Sequence, residues 1–574
     1  MNKNHLDRYT WANNKTQNID VLKLRFSPDL DMTPGCGGIR RDVSEFQQKG
    51  FIEVFISAIL LRKRETLSES TWIVGGDGRY YFQPAFFRVV ATMAGLEVGN
   101  IVTAKDGIMT STAICLLVRQ MKATGGILLS ASSMPAGMDG YFGIKYIVED
   151  GCTASEAVLK SIRDIAKKLE TVNYAVGIYF PLDELTSHIF WIENHLMSVT
   201  VVNAVRIYAD YLKTIFDYDR IRKLLCGDEI VSIPVRILVD CMKGAAGPYA
   251  TEVLEYDLGA CPGTVVNATP EEFFITGYPT PRNSKTLVQG LRTGNYHAGF
   301  ALDTLGGRVM VMGRRAYHVN SSDSIAILAK HLHCIPYFQL HGIKGFARCF
   351  TTSKALDSVV EPTEKPLYET PLSWTYMSDL IKKNQISFCG DNHYALGSSH
   401  LEEKDGIWGI LAWLSVLYHM RLPVKDLMYH HWLQHGRYFT ASLLYDNIET
   451  KDYLVIVDYI EFIINHEMLV ASQHGKKPFV YTVLSASSFK HIDPDDKTIR
   501  KTGAIVTLHP NSRLVYKLEI GKTKKLRIFL EAHSDDPSDF GAEPVAFLTP
   551  LAKLSIKMVN LPHFLQDNTP LFML

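Results

Sequence analysis

Apolar runs of strand length alternate with amphipathic stretches of helical length along most of this chain. That alternation admits few solutions beyond layered α/β folds. TWIVGGDGRYY (71–81) reads as a strand entering a Gly-rich turn, AFFRVVATMAGL (85–96) as a helix, and IVTA (101–104) as a second strand. STAICLLVRQMKAT (111–124) follows as a helix and GGILLSAS (125–132) as a strand ending in a loop. The pattern returns at 235–259, 297–307 and 335–350. Beyond about residue 450, strands and short turns are expected to predominate, as in TGAIVTLHPNSRLVYKLEI (502–520), giving a final α+β domain. A chain of 574 residues has room for roughly three to five domains.

Composition narrows the function classes. Hydrophobic residues make up 47% and charged residues 21%, which excludes a mainly disordered chain. Sixty Lys and Arg balance sixty Asp and Glu, so no basic footprint for nucleic acid or anionic lipid is present. The nine cysteines run from Cys36 to Cys389 without a CxxC, so a reducing compartment is expected rather than a disulfide framework. The polar N-terminus lacks a secretory apolar stretch, and no lipidation signal ends the chain. The longest apolar run, IWGILAWLSVLY (407–418), is too short to span a bilayer and is expected as a core helix. The expectation is a soluble, cytoplasmic multidomain protein.

Several segments, in order and with matching spacing over roughly residues 20–560, resemble the eukaryotic phosphoglucomutases of the α-D-phosphohexomutase superfamily. PGCGGIRRDV (34–43) is similar to that family's PGTSGLRK segment, and VGGDGRYY (74–81) to its first strand and turn. SASSMPAGMDGYFGIKY (130–146) stands at the catalytic loop TASHNPGG and FGIKF, and LDTLGGRVMVMG (302–313) at the metal loop FDGDGDRNMILG. CGDNHYALGSSHLEEKDG (389–406) resembles the sugar segment that begins CGEESFG, and HWLQHGRYF (431–439) recurs in the last domain. The resemblance implies three α/β domains and a C-terminal α+β domain around a central cleft. The divisions are expected at 1–205, 206–325, 326–422 and 423–574. It further implies a phosphoserine mutase that interconverts glucose 1-phosphate and glucose 6-phosphate with Mg²⁺. Ser132, Asp303, Asp391 and the 507–517 segment would face the cleft.

Each catalytic part is altered against that pattern. Ser132 keeps the nucleophile position, but the His and Asn after it become Ser133 and Met134. Asp303 keeps the first of three metal aspartates, while Leu305 and Gly307 replace the others. One carboxylate is a poor site for a hard cation that wants near-octahedral oxygen ligands, so the loop is expected to be metal-free, with Arg308 paired to Asp303. Asp391 and His393 stand for the family's sugar-gripping Glu and Ser, and Thr375 for its lysine. In the last domain TLHPNSRLVYKLE (507–519) replaces the longer loop RLSGTGSAGATIRLY. Thr507 and Lys517 fall at its two arginines, Arg513 adds a cation, and Pro510 removes a backbone donor. By resemblance, substrate-facing roles fall to Arg40, Lys145, Arg308, Asp391, His393 and Lys517.

Other clusters have plainer explanations. His430, His431 and His435 lack the glutamate of HExxH, and His331, His333 and Cys334 lack a second ligand pair at zinc spacing. GGDG (75–78) fits no nucleotide motif, and KTKK (522–525) is expected as a solvated turn. Three readings stay open. The leading one is a mutase-like chain with little or no turnover, acting as an interaction module with a cytoskeletal or cell-cortex partner. The others are a divergent active phosphoglucomutase and a sugar-phosphate sensor. Removal of several preorganised charges, each worth about 3–4 kcal/mol, favours the first.

Overall fold

A computed structural model describes residues 17–26, 31–33, 35, 37–63, 67–227, 233–274, 277–465, 481–492, 499–520, 524–564 and 570–573. Two compact units emerge. The first comprises Met1–Ser321, His331–Gly345 and Ser373–Val424; the second comprises Ser322–Lys330, Phe346–Leu372 and Lys425–Leu574. Residues 326–422 therefore contribute to both.

In the first unit, an eight-stranded sheet has Thr71–Gly76 between Asn100–Ala104 and Gly125–Leu129, all three parallel. These strands are buried on both faces, as runs such as TWIVGG and GGILL require. Helix Ser111–Met121 packs on two of them, and its first turn is capped by the Thr110 side chain, which accepts from Ala113 N at 3.1 Å. Helices Phe51–Leu61, Phe82–Gly95 and Glu156–Ala166 pack together and close the core around Phe46, Phe86, Trp72 and Tyr146. A five-stranded sheet follows, with Ile237–Asp240 parallel to Ala298–Leu302, which turns back antiparallel as Val309–Gly313. Phe388–Gly390 and Leu396–Ser398 form a further hairpin.

The apolar run at 407–418 lies in helix Gly406–Met420, buried throughout Gly406–Leu417. Asp405 caps it by accepting from Trp408 N at 2.9 Å, and Tyr208 donates to both oxygens of that carboxylate. Among the described residues no single helix is long and apolar enough to cross a membrane.

The second unit is built on an antiparallel sheet of six strands ordered Thr482–Ile492, Ile499–His509, Ser512–Ile520, Lys524–Ser534, Arg437–Ile448 and Leu571–Met573. Helix Pro544–Met558 packs on it. The expected run of strands after residue 450 is interrupted by helix Thr450–Asn465. Its Val and Ile content suggests strand, but its buried positions Ile456 and Ile460 are four apart, the spacing of one helical face. Of the KTKK segment, 522–523 lie outside the described residues, while Lys524 and Lys525 begin a strand.

Candidate functional site

All four altered loops join antiparallel neighbours. Residues 130–140 connect Gly125–Leu129 to Tyr141–Ile147, 303–308 connect Ala298–Leu302 to Val309–Gly313, 391–395 connect Phe388–Gly390 to Leu396–Ser398, and 510–511 connect Ile499–His509 to Ser512–Ile520. Such connections present side chains at a sheet end while the ladders hold their bases.

Ser132 sits in left-handed backbone with φ of +55°, a conformation that costs a non-glycine residue about 1 kcal/mol or more and needs support. The support is a buried polar lattice. Ser132 N donates to Ser130 Oγ at 2.8 Å, and Ser130 Oγ donates to Asp77 at 2.5 Å. Asp77 forms a fully buried ion pair with Arg79, whose Nη2 donates both to Asp77 Oδ2 at 2.9 Å and to Ser132 O at 2.8 Å. The GGDGR segment thus orients the serine loop. Arg40, on the strand paired with Gly143, places Nη2 at 3.4 Å from Ser132 Oγ.

Lys145 lies two residues along from Gly143 and is buried, 3.4 Å from Glu403. Burial lowers its pKa, with Glu403 opposing and Lys404 and Arg40 reinforcing that shift. Burial pushes the Glu403 carboxyl upward, but Lys145 and Lys404 outweigh it and hold it well below the usual carboxylate range. Lys404 Nζ donates to Glu403 Oε1 at 2.9 Å and stands 5.3 Å from the Trp374 ring centroid. Neither Glu403 nor Lys404 figures among the sequence-derived candidates, although EKDG (403–406) closes the 389–406 sugar segment.

Asp303 has its carboxylate fully engaged within its own loop. Oδ1 accepts from Gly307 N at 2.8 Å and Arg308 N at 3.1 Å, and Oδ2 accepts from Arg308 Nη1 at 2.9 Å. Leu305 is buried. A Cβ at Gly307 would come within 2.9 Å of the Lys404 stem. One carboxylate, a leucine and a glycine covered by a lysine do not provide the oxygen donors Mg²⁺ requires. The donor set does not fit the metal.

Arg308 also faces Tyr278, with its guanidinium carbon 4.9 Å from the ring centroid, and Tyr278 contacts His393 at 4.7 Å. Burial works against the Arg308 charge, but Asp303, Tyr278 and Asp391 raise its pKa regardless. The two loops are joined by Val309 N donating to Tyr394 O at 2.9 Å. Asp391 Oδ1 accepts from His393 N at 2.7 Å and Ala395 N at 3.2 Å, so it braces its own loop. Thr375 bonds Ser373 at 2.7 Å. In the first unit, Ser132 contacts Arg40, while Lys145 and Lys404 converge on Glu403. Asp303, Arg308, Tyr278, His393 and Asp391 form a further series of contacts that Lys404 meets at Gly307.

The second unit carries the 507–517 segment as a tight hairpin. Thr507 pairs with Arg513 and Leu508 with Ser512, leaving a three-residue turn of His509, Pro510 and Asn511. Pairing that continues to the turn engages the amides in the ladder. Arg513 is buried and donates to Phe350 O at 2.9 Å and Thr352 O at 2.8 Å, fastening the 346–352 segment. Lys517 pairs with Glu519 at 2.6 Å. Outside these loops, His331, His333 and Cys334, expected not to ligate together, have ligand atoms within 4.8 Å of one another.

Comparison with known proteins finds matches along nearly the whole chain. Models described as phosphoglucomutase/phosphomannomutase alpha/beta/alpha domains I, II and III match residues 31–173, 206–316 and 320–435. The phosphoglucomutase-1 C-terminal domain matches 437–571. Phosphoglucomutase-like protein 5 of Rattus norvegicus is 34% identical over 94% of this chain and 96% of its own. Human phosphoglucomutase-1 is likewise 34% identical, over 95% and 98%. The open-form crystal structure of Paramecium pp63/parafusin, described as an exocytosis-sensitive phosphoprotein and a phosphoglucomutase, superposes with a TM-score of 0.88 at 26% identity, covering 97% of this chain and all of that one. With four domain matches in order and one-third identity along nearly its whole length, the chain belongs to the phosphoglucomutase family of the α-D-phosphohexomutase superfamily, with three α/β domains and a C-terminal domain.

Proposed function

We propose that this phosphoglucomutase-family protein has little or no mutase turnover and acts as an interaction module with a partner at the cytoskeleton or cell cortex. The observation that carries the reading is the loop at 303–308. Its one carboxylate is engaged by Arg308 and two backbone amides, and Lys404 covers the glycine at the third metal position. Phosphoryl transfer depends on positioning and charge neutralisation, so loss of the cation removes the main source of transition-state stabilisation. The description of the Paramecium protein as an exocytosis-sensitive phosphoprotein as well as a phosphoglucomutase supports a role beyond sugar metabolism for a chain of this fold.

A second reading, a divergent active phosphoglucomutase, draws support from Ser132, which is still oriented by the Asp77–Arg79 pair with Arg40 beside its hydroxyl. A coupled assay of glucose 1-phosphate turnover with Mg²⁺ and glucose 1,6-bisphosphate separates the two. Rates of about one per second, abolished by Ser132→Ala, overturn the first reading. For the partner, proximity labelling in cells should enrich cortical or cytoskeletal proteins; enrichment of glycolytic enzymes alone would count against it.

A further inference from the structure

We infer that His331, His333 and Cys334, completed by His419, form a binding site for a borderline-soft divalent metal of the zinc class. The first three lie at the end of helix Ser321–His331 and in the single 3₁₀ turn Leu332–Cys334 that continues it. Three residues per 3₁₀ turn put positions 331 and 334 on one face, and Leu332 is buried, anchoring the turn. Their ligand atoms already lie within 4.8 Å of one another.

The fourth ligand is invisible in sequence spacing. His419 is on the last turn of helix Gly406–Met420, and its exposed ring stands edge-on to His333 with centroids 5.5 Å apart. His331 and His333 centroids are 5.8 Å apart. Metal–nitrogen bonds of about 2.1 Å at tetrahedral angles place two bound imidazole centroids roughly 5 Å apart. The His331–His333 and His333–His419 centroid spacings lie close to that value, so a ring adjustment at His419 would add a fourth donor to the three whose ligand atoms already cluster. Such donors select zinc, cobalt or copper over Mg²⁺, which takes oxygen. The site is also separate in kind from the 303–308 loop, which offers one carboxylate.

Charge is compatible with this assignment. Cys334 is buried, with Arg220 as a charged neighbour. A coordinated metal deprotonates such a thiol outright, and the thiolate offsets the repulsion between Arg220 and the ion. A bound ion would tie the 331–334 turn to the end of the central buried helix.

The test uses the full chain without an oligohistidine tag, stripped with chelator and titrated with Zn²⁺ against a chromophoric competitor. One equivalent should bind with submicromolar affinity. His333→Ala and His419→Ala, both at exposed positions, should each weaken binding tenfold or more, as should Cys334→Ser. Co²⁺ should give a thiolate charge-transfer band that Cys334→Ser removes, and Zn²⁺ should raise the melting temperature of the parent but not of His333→Ala. Absence of saturable binding overturns the site. So does binding that all three variants leave unchanged, which would place the ion elsewhere.

Discussion

Lys404 lays its stem across Gly307, so that a Cβ on the glycine would stand 2.9 Å from the lysine Cγ. Replacing this glycine by aspartate therefore meets a side chain already in place. Gly307→Asp is expected to destabilise the protein by about 1–3 kcal/mol, the usual range for overpacking, read as a lowered denaturation midpoint. Calorimetry should show no saturable Mg²⁺ or Mn²⁺ binding below millimolar concentration in either protein. Micromolar affinity in the parent, abolished by Asp303→Ala, would contradict the reading of this loop.

Asp303 and Arg308 form a largely buried pair, and removing one partner leaves the other uncompensated. Arg308→Ala should cost about 3–5 kcal/mol in urea denaturation. A replacement of both residues by apolar groups should cost less than the sum of the two single changes, which a double-mutant cycle measures.

Asp323, near the start of helix Ser321–His331, is buried, and burial pushes its carboxyl up to about 7 against the pull of Trp432 and Arg437. The unfolded chain releases this proton near the ordinary value of 3.8, whereas the folded chain keeps it to about 7. Between those values the native state binds more protons, so this group lowers stability as pH rises, and its effect levels off above the folded pKa. Asp323→Asn should raise the melting temperature at pH 8 and leave it nearly unchanged at pH 4. Equal shifts at both pH values would sink the assignment.

Arg513 Nη2 donates to two backbone carbonyls while its Nη1 lies 3.4 Å from Glu369 Oε1, a spread that the single ammonium of lysine cannot reproduce. Arg513→Lys should destabilise by about 1–3 kcal/mol while leaving inorganic phosphate binding unchanged. A loss of phosphate affinity with unaltered stability would show instead that the residue serves a ligand.

Mutase turnover should be undetectable, and single reversions such as Leu305→Asp or Thr375→Lys should stay silent in the coupled assay. Each repairs one function while metal, lysine or phosphate cradle remains absent, and such groups act as a unit. Only a graft of the metal loop, the lysine and the longer C-terminal loop together should restore measurable rates.

Much of this was legible because local pattern and local structure agree. The strands at 71–76, 100–104 and 125–129 and the helix at 406–420 follow from apolar runs and their spacing. The pairing of Arg308 with Asp303 was legible because the two sit in one tight turn. Helix Thr450–Asn465 was missed because β-branched residues masked a helical face. Glu403 and Lys404 were missed because their partners, Lys145 and Gly307, come from distant strands and a distant loop. The same holds for Tyr278, which matters only once Arg308 and His393 are brought against it. Long-range juxtaposition of charged and aromatic groups leaves no periodic trace in a single chain.

The three-residue turn at His509, Pro510 and Asn511 has a bearing on ancestry. Substitutions at 305, 307 and 375 can each be undone by changing a codon or two, but no substitution lengthens a hairpin. Recovering a longer loop there takes an insertion that must also release ladder pairs on both strands, and every intermediate would lose sheet bonds before gaining a ligand. Of all the changes in this chain, that turn is the one lineage drift could least easily reverse.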